Sequence, residues 1–74
     1  MIVEVELFGR LMPDLPRIQT IELDEHAAIK EAASILGIDL DQVGLITING
    51  VQSEEQDQLL NRCRLCFFMH MSGG

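Results

Sequence analysis

The chain has 74 residues, 12 acids against 5 bases for a net charge of −7, and 47% hydrophobic residues. One domain fits in that length, burying only about 60% of its unfolded surface, and the charge disfavours nucleic acid, which is held through clustered Lys and Arg. No apolar run approaches the roughly 20 residues that span a bilayer. Met1 to Glu6 has no basic stretch and carries two acids, so neither a signal peptide nor a membrane partner is expected, and the cytoplasm is the expected compartment.

Residues 2 to 8 alternate, with Val3, Val5 and Leu7 on one face of a strand, Glu4 and Glu6 on the other, and Phe8 on the acidic face. Gly9 opens a breaker region containing Pro13, Asp14 and Pro16. Ile18 to Leu23 forms a second strand, Ile21 and Leu23 inward, which completes a hairpin. A helix is expected from Asp24 or just after it, where Asp24 and Glu25 suit the positive helix end. Its apolar stripe is Ile29, Ala32, Ala33 and Leu36, and Gly37 is a natural left-handed cap. Ile38 to Gly44 reads as a loop, and Leu45 to Asn49 as a short strand ending in the Asn49-Gly50 turn signal. Val51 to Gln58 is polar, with room for only a stub of strand or a 3₁₀ turn, and Leu59 and Leu60 are expected to anchor it in the core. The last strand runs from about Arg64 to Met69, with Leu65, Phe67 and Met69 inward and Cys66, Phe68 and His70 outward.

This order implies an α+β domain over residues 1–74: a mixed sheet of four to five strands packed on one main helix. The first and last strands should be central, adjacent and parallel.

Few residues suggest catalysis. His26 and His70 have no motif around them, and Ser34 and Ser72 no elbow sequence. So small a domain offers little wall for a pocket of several hundred Å³. Cys63 and Cys66 form a CxxC without a second pair, and residues three apart on a strand point to opposite faces about 10 Å apart, too far for an undistorted disulfide. Both are expected to be reduced, one or both packed as small apolar side chains, with no metal. Phe68, outward near the end of the last strand with Phe8 beside it, is the candidate interface residue, the alternative being cover by Val51 to Gln58. The terminal Gly73-Gly74 pair, expected by chance in about 0.5% of chains, follows that strand almost directly.

The Phe8-Gly9 end of the first strand, Leu36-Gly37, Asn49-Gly50, and Cys66-Phe67-Phe68 running to Ser72-Gly73-Gly74 together resemble the MoaD/ThiS sulfur carriers. The likeness covers nearly the whole chain and is nearer to the molybdopterin-synthase small subunit than to the thiamine carriers. It implies a ubiquitin-like β-grasp fold with a flexible tail at 72–74. It also implies a carrier rather than an enzyme, in which Gly74 is adenylated and then converted to a thiocarboxylate for cofactor biosynthesis, while Gly73 lets the tail thread a narrow channel. Implied partners are a ubiquitin-activating-like adenylyltransferase using ATP and magnesium, a sulfur donor such as a cysteine desulfurase, and the large subunit of a downstream synthase. No cofactor is bound by the carrier itself. Phe8, Phe68, His70, Met71 and Ser72 are the implied partner-binding residues. Two other readings stay open: a protein modifier joined to lysine through Gly74, and a β-grasp binding module that makes no use of its glycines.

Overall fold

The computed structural model describes residues 1–9 and 14–70. Strand β1 (Ile2–Phe8) buries Val3, Val5 and Leu7 on one face, as its alternation requires. It pairs antiparallel with β2 (Ile18–Glu22), Val3 opposite Ile21 and Val5 opposite Gln19. Helix α1 (Ile29–Leu36) follows, then a 3₁₀ turn over Leu40–Gln42, β3 (Val43–Ile48), the two-residue β4 (Val51–Gln52) and β5 (Arg64–Met69). The sheet order is β2-β1-β5-β3-β4, with β1 and β5 parallel and β5 central, as expected.

All of α1's buried residues, Ile29, Ala32, Ala33 and Leu36, lie on the stripe read from the sequence. They close over Val3, Val5, Leu65 and Phe67, and Leu23, Ile38, Leu59, Cys63 and Met69 complete the same core. The two alanines bring the helix close to the sheet and leave little volume to fill, which suits so short a chain. Gly37 ends the helix at φ 76°. The Ile38 N–H returns to the Ala33 carbonyl at 2.8 Å, and Ile38 packs into the core.

The helix starts later than expected, at Ile29 rather than near Asp24. Asp24 to Ala27 forms a turn instead, the Ala27 N–H reaching the Asp24 carbonyl at 3.1 Å. What fixes the start is tertiary. The Ile29 and Lys30 N–H groups donate to the carbonyls of Asp57 and Glu55 at 3.0 and 2.9 Å, and Leu59 N–H to the Ala27 carbonyl at 2.9 Å. A distant loop thus satisfies helix donors that a side-chain cap would otherwise have to meet. Glu31 contributes locally, accepting the Ala28 N–H at 2.9 Å.

Two further expectations need correcting. β3 begins two residues early, at Val43, because Asp39 caps the 3₁₀ turn that leads into it, accepting the Asp41 N–H at 3.0 Å. Leu60 is 60% exposed, and Leu59 alone anchors its segment. The chain turns over residues 60–63, with Arg62 at φ 65° and the Cys63 N–H on the Leu60 carbonyl, which sends Cys63 inward and Leu60 out. The Asn49-Gly50 turn forms as expected, with φ 51° and 83°. No helix among the described residues is long and apolar enough to cross a membrane.

Candidate functional site

The parallel pairing of β1 with β5 sets the outer face of the sheet. Its register places Glu4 beside Arg64, Glu6 beside Cys66 and Phe8 beside Phe68. Neighbouring side chains in register point the same way, so the face divides into a charged half and an aromatic half.

In the aromatic half the Phe8 and Phe68 rings stack with centroids 4.6 Å apart and planes 6° from parallel. The Arg17 guanidinium carbon lies 5.5 Å from the Phe8 centroid, a cation–π contact. Leu45 pairs with Phe68 from β3 and is 36% exposed, so an apolar row Leu45-Phe68-Phe8 crosses the sheet where β5 runs out. Phe68 was expected as an exposed side chain or as one covered by Val51 to Gln58. It is half-buried, and its cover includes the Phe8 ring.

In the charged half Glu6 is the one buried charged residue among those described, 5% exposed although it points away from the core. Its carboxylate accepts a hydrogen bond from the Arg64 Nη2 and lies 3.7 Å from the Arg17 Nε. Arg64 also reaches Glu4, at 3.8 Å. The Glu6 carboxylate, by hydrogen bond and then by charge, holds the Arg64 guanidinium above its usual pKa. Arg17 belongs to both halves, forming an ion pair with Glu6 and a cation–π contact with Phe8. The sequence reading missed this network. The signal was present, since Glu4 and Glu6 share a face and β5 was expected alongside, but Arg17 sits in a loop whose path the pattern does not give.

His70 is exposed at the end of β5, and its N–H donates to the Gln42 carbonyl at 2.8 Å. Its Nδ1 would stand 3.1 Å from a Cβ on Gly44, so this glycine makes room for the imidazole. Gly44 lies at a register shift of β3, between Val43 and Leu45, and was not singled out in the sequence. Phe8, Phe68 and His70 therefore gather at one end of the outer face. Met71, Ser72, Gly73 and Gly74 lie outside the described residues, and with them the expected tail.

Cys63 and Cys66 are both free thiols and both buried, Cys63 in the core and Cys66 in register with Glu6. The opposed faces expected of them are observed.

No family model matches the chain, and no curated protein matches it in sequence. Solved structures do. Small archaeal modifier protein 1 from Haloferax volcanii superposes with a TM-score of 0.79 at 19% identity, covering 100% of both chains. A second crystal structure of that protein gives 0.76 at 18% identity over 92% of this chain and 95% of the other. In a complex of subunits 1 and 2 of molybdopterin-converting factor from Helicobacter pylori, one chain matches with a TM-score of 0.66 at 24% identity, again over 100% of both chains. At these identities the likeness is one of fold: this chain has the ubiquitin-like β-grasp fold of the archaeal modifier and of the molybdopterin-converting-factor subunit.

Proposed function

We propose that the chain is a cytoplasmic sulfur carrier of the MoaD kind, acting through a carboxylate at Gly74. The observation that carries this reading is the position of β5. The central strand ends at Met69, beside the Phe8–Phe68 stack, and the sequence continues through His70 to Ser72-Gly73-Gly74. The four residues after His70 span at most about 14 Å, so an enzyme holding Gly74 in its active site must also cover this end of the outer face. A stacked aromatic pair with the Arg17 guanidinium beside it is the kind of surface such a partner would grip.

The chemistry asks little of the carrier beyond position. The carboxylate oxygen attacks the α-phosphorus of ATP and pyrophosphate leaves. A hydrosulfide equivalent from a sulfur donor then adds to the acyl carbon, AMP departs, and a thiocarboxylate remains. Magnesium and the groups that stabilise charge would belong to the adenylating partner. The carrier is then a co-substrate, and delivery of its sulfur falls to a downstream synthase subunit, with a molybdopterin-type precursor favoured over a thiamine-type one.

The fold shared with the archaeal modifier supports a second reading equally well. In it the same acyl group passes to a lysine amine and forms an isopeptide bond. Intact mass spectrometry of the protein isolated from its cells separates the two, after first establishing that its last residue is Gly74. Replacement of one oxygen by sulfur on the free protein supports the carrier, and conjugates of higher mass through Gly74 support the modifier. A protein that acquires neither, even with a candidate adenylating enzyme, ATP, magnesium and a sulfur source, would leave only a binding module.

A further inference from the structure

Strand β2 is one rim of the sheet, and its pairing with β1 fixes the direction of every backbone group along it. The Leu23 N–H donates to the Met1 carbonyl and the Leu7 N–H to the Arg17 carbonyl, each at 2.8 Å. Odd-numbered residues from Arg17 to Leu23 therefore turn their backbone groups towards β1. By the antiparallel alternation, Ile18, Thr20 and Glu22 turn theirs outward. Among the described residues no strand pairs with them, and all three side chains are exposed. The strand Ile-Gln-Thr-Ile-Glu carries neither lysine nor proline, and its register with β1 is continuous. The opposite rim, β4, has only two residues.

Alongside runs an open groove of about 700 Å³ shared by the end of β2, the following turn and α1. Glu22, Asp24, Glu25 and Glu31 line it with Ile35, and the cationic Met1 amino group is bound to the Leu23 carbonyl at 2.7 Å. His26 lines it as well, but among the described residues no Lys or Arg does. Ile35 is 62% exposed and belongs to no part of the core.

We propose that the β2 rim takes up an extended segment of a partner protein as a sixth strand. An apolar side chain of that segment would lie against Ile35, and Lys or Arg side chains would follow it over Glu22, Asp24 and Glu25. The outward backbone groups supply the pairing, and the acid-lined groove selects the sign of the segment's charge. A second copy of this chain is a poor occupant, because it brings a further charge of −7 to the same rim. β1 stands between this rim and β5, so the segment leaves the Phe8–Phe68 face uncovered. The inference does not depend on the carrier reading.

Two synthetic peptides of alternating valine and threonine test it, one ending in three lysines and the other in three glutamates. Calorimetry should show the lysine peptide binding at least about tenfold more tightly, with amide chemical-shift changes centred on Ile18, Thr20, Glu22 and Ile35. Thr20→Pro removes one outward N–H without touching the ladder to β1, and should weaken binding by about tenfold or more. Should that variant misfold by circular dichroism, Glu22→Lys with Asp24→Lys decides instead, by reversing the preference between the peptides. The proposal is overturned if the lysine peptide does not bind, if the two peptides bind alike, or if the shift changes fall on the Phe8–Phe68 face. It is equally overturned if sedimentation shows a dimer that Thr20→Pro converts to monomer, since the rim would then belong to a second copy.

Discussion

Phe8 and Phe68 stand side by side on parallel strands and stack almost face to face, at 4.6 Å and 6°. Both come from positions that alternation assigns to the solvent side, so the pair covers itself in part and keeps an edge free. Its coupling should measure about 0.5–1.5 kcal/mol in a double-mutant cycle of Phe8→Ala and Phe68→Ala followed by urea unfolding. Phe68→Asp should lower stability by about 1–3 kcal/mol, leave a folded domain, and weaken binding to an adenylating partner. An unfolded Phe68→Asp variant would show that the stack supports the core more than it serves an interface.

Glu6 and Glu4 share a face and an arginine but differ in burial, with side-chain exposures of 6% and 55%. Glu6→Gln loses a charge-assisted hydrogen bond from Arg64 and an ion pair with Arg17 at a buried site, and should cost about 1–3 kcal/mol. Glu4→Gln should change stability by no more than about 0.5 kcal/mol, as exposed ion pairs do. Urea midpoints for the two variants compare the effects directly. Equal midpoints would mean that the arginines pair with either acid indifferently.

The elements and their order were legible because local patterns and tertiary structure agree there. Val3-Val5-Leu7, the Ile29-Ala32-Ala33-Leu36 stripe, Gly37 and Asn49-Gly50 each carry their own physical reason. The start of α1 was not legible, since its first N–H donors, on Ile29 and Lys30, are met by the carbonyls of Asp57 and Glu55 in a loop far along the chain. Leu60 misled because hydrophobicity alone does not tell which of two adjacent leucines a turn will expose. At the candidate site, Phe8 and Phe68 could be paired on paper once β1 and β5 were set side by side. Arg17 and Gly44 could not, because one contact comes from a loop and the other from a register shift.

Two glycines at positive φ separate conformational strain from crowding. Gly37 sits at φ 76° with open space where a Cβ would go. Gly9 sits at φ 118° with the Met69 Cβ only 2.8 Å from that position. Gly37→Ala should therefore cost about 1 kcal/mol, from the left-handed conformation alone. Gly9→Ala should cost more, because Met69 lies next to Phe68 and must also move. Thermal melts should rank the two in that order, and near-ultraviolet changes at the phenylalanines should accompany only Gly9→Ala.

Cys63 is 2% exposed in the core, so the chemistry of its replacement matters. Cys63→Ser buries a hydroxyl and should destabilise by about 1–3 kcal/mol, more than Cys63→Ala if that hydroxyl finds no partner. Neither change, nor Cys66→Ser, should impair thiocarboxylate formation in protein that remains folded, because the two thiols lie on opposite faces. Loss of that product in a folded variant would give a cysteine a role in sulfur handling.

The tail prediction tests the proposed function most directly. The core cluster lies within residues 3 to 69, so deleting Gly74 or adding one residue after it should leave the melting temperature unchanged. Both changes should abolish thiocarboxylate formation. The deletion withdraws the carboxylate from the nucleotide, and the extension places it about 3.3 Å out of register with the α-phosphorus it must attack. Gly73→Ala should fold normally and react slowly, since a Cβ restricts the conformations open to a strand passing through a narrow channel. Its defect should appear in kcat more than in KM if glycine is needed where the bond forms rather than where the domain docks. Phe68→Asp should show the converse, a raised KM with the chemical step preserved at saturation. Intact mass against time, with an adenylating enzyme, ATP, magnesium and a sulfur source, reads all four variants. If the extended protein is thiocarboxylated as fast as the native chain without prior trimming, Gly74 is not the acceptor and the carrier reading fails.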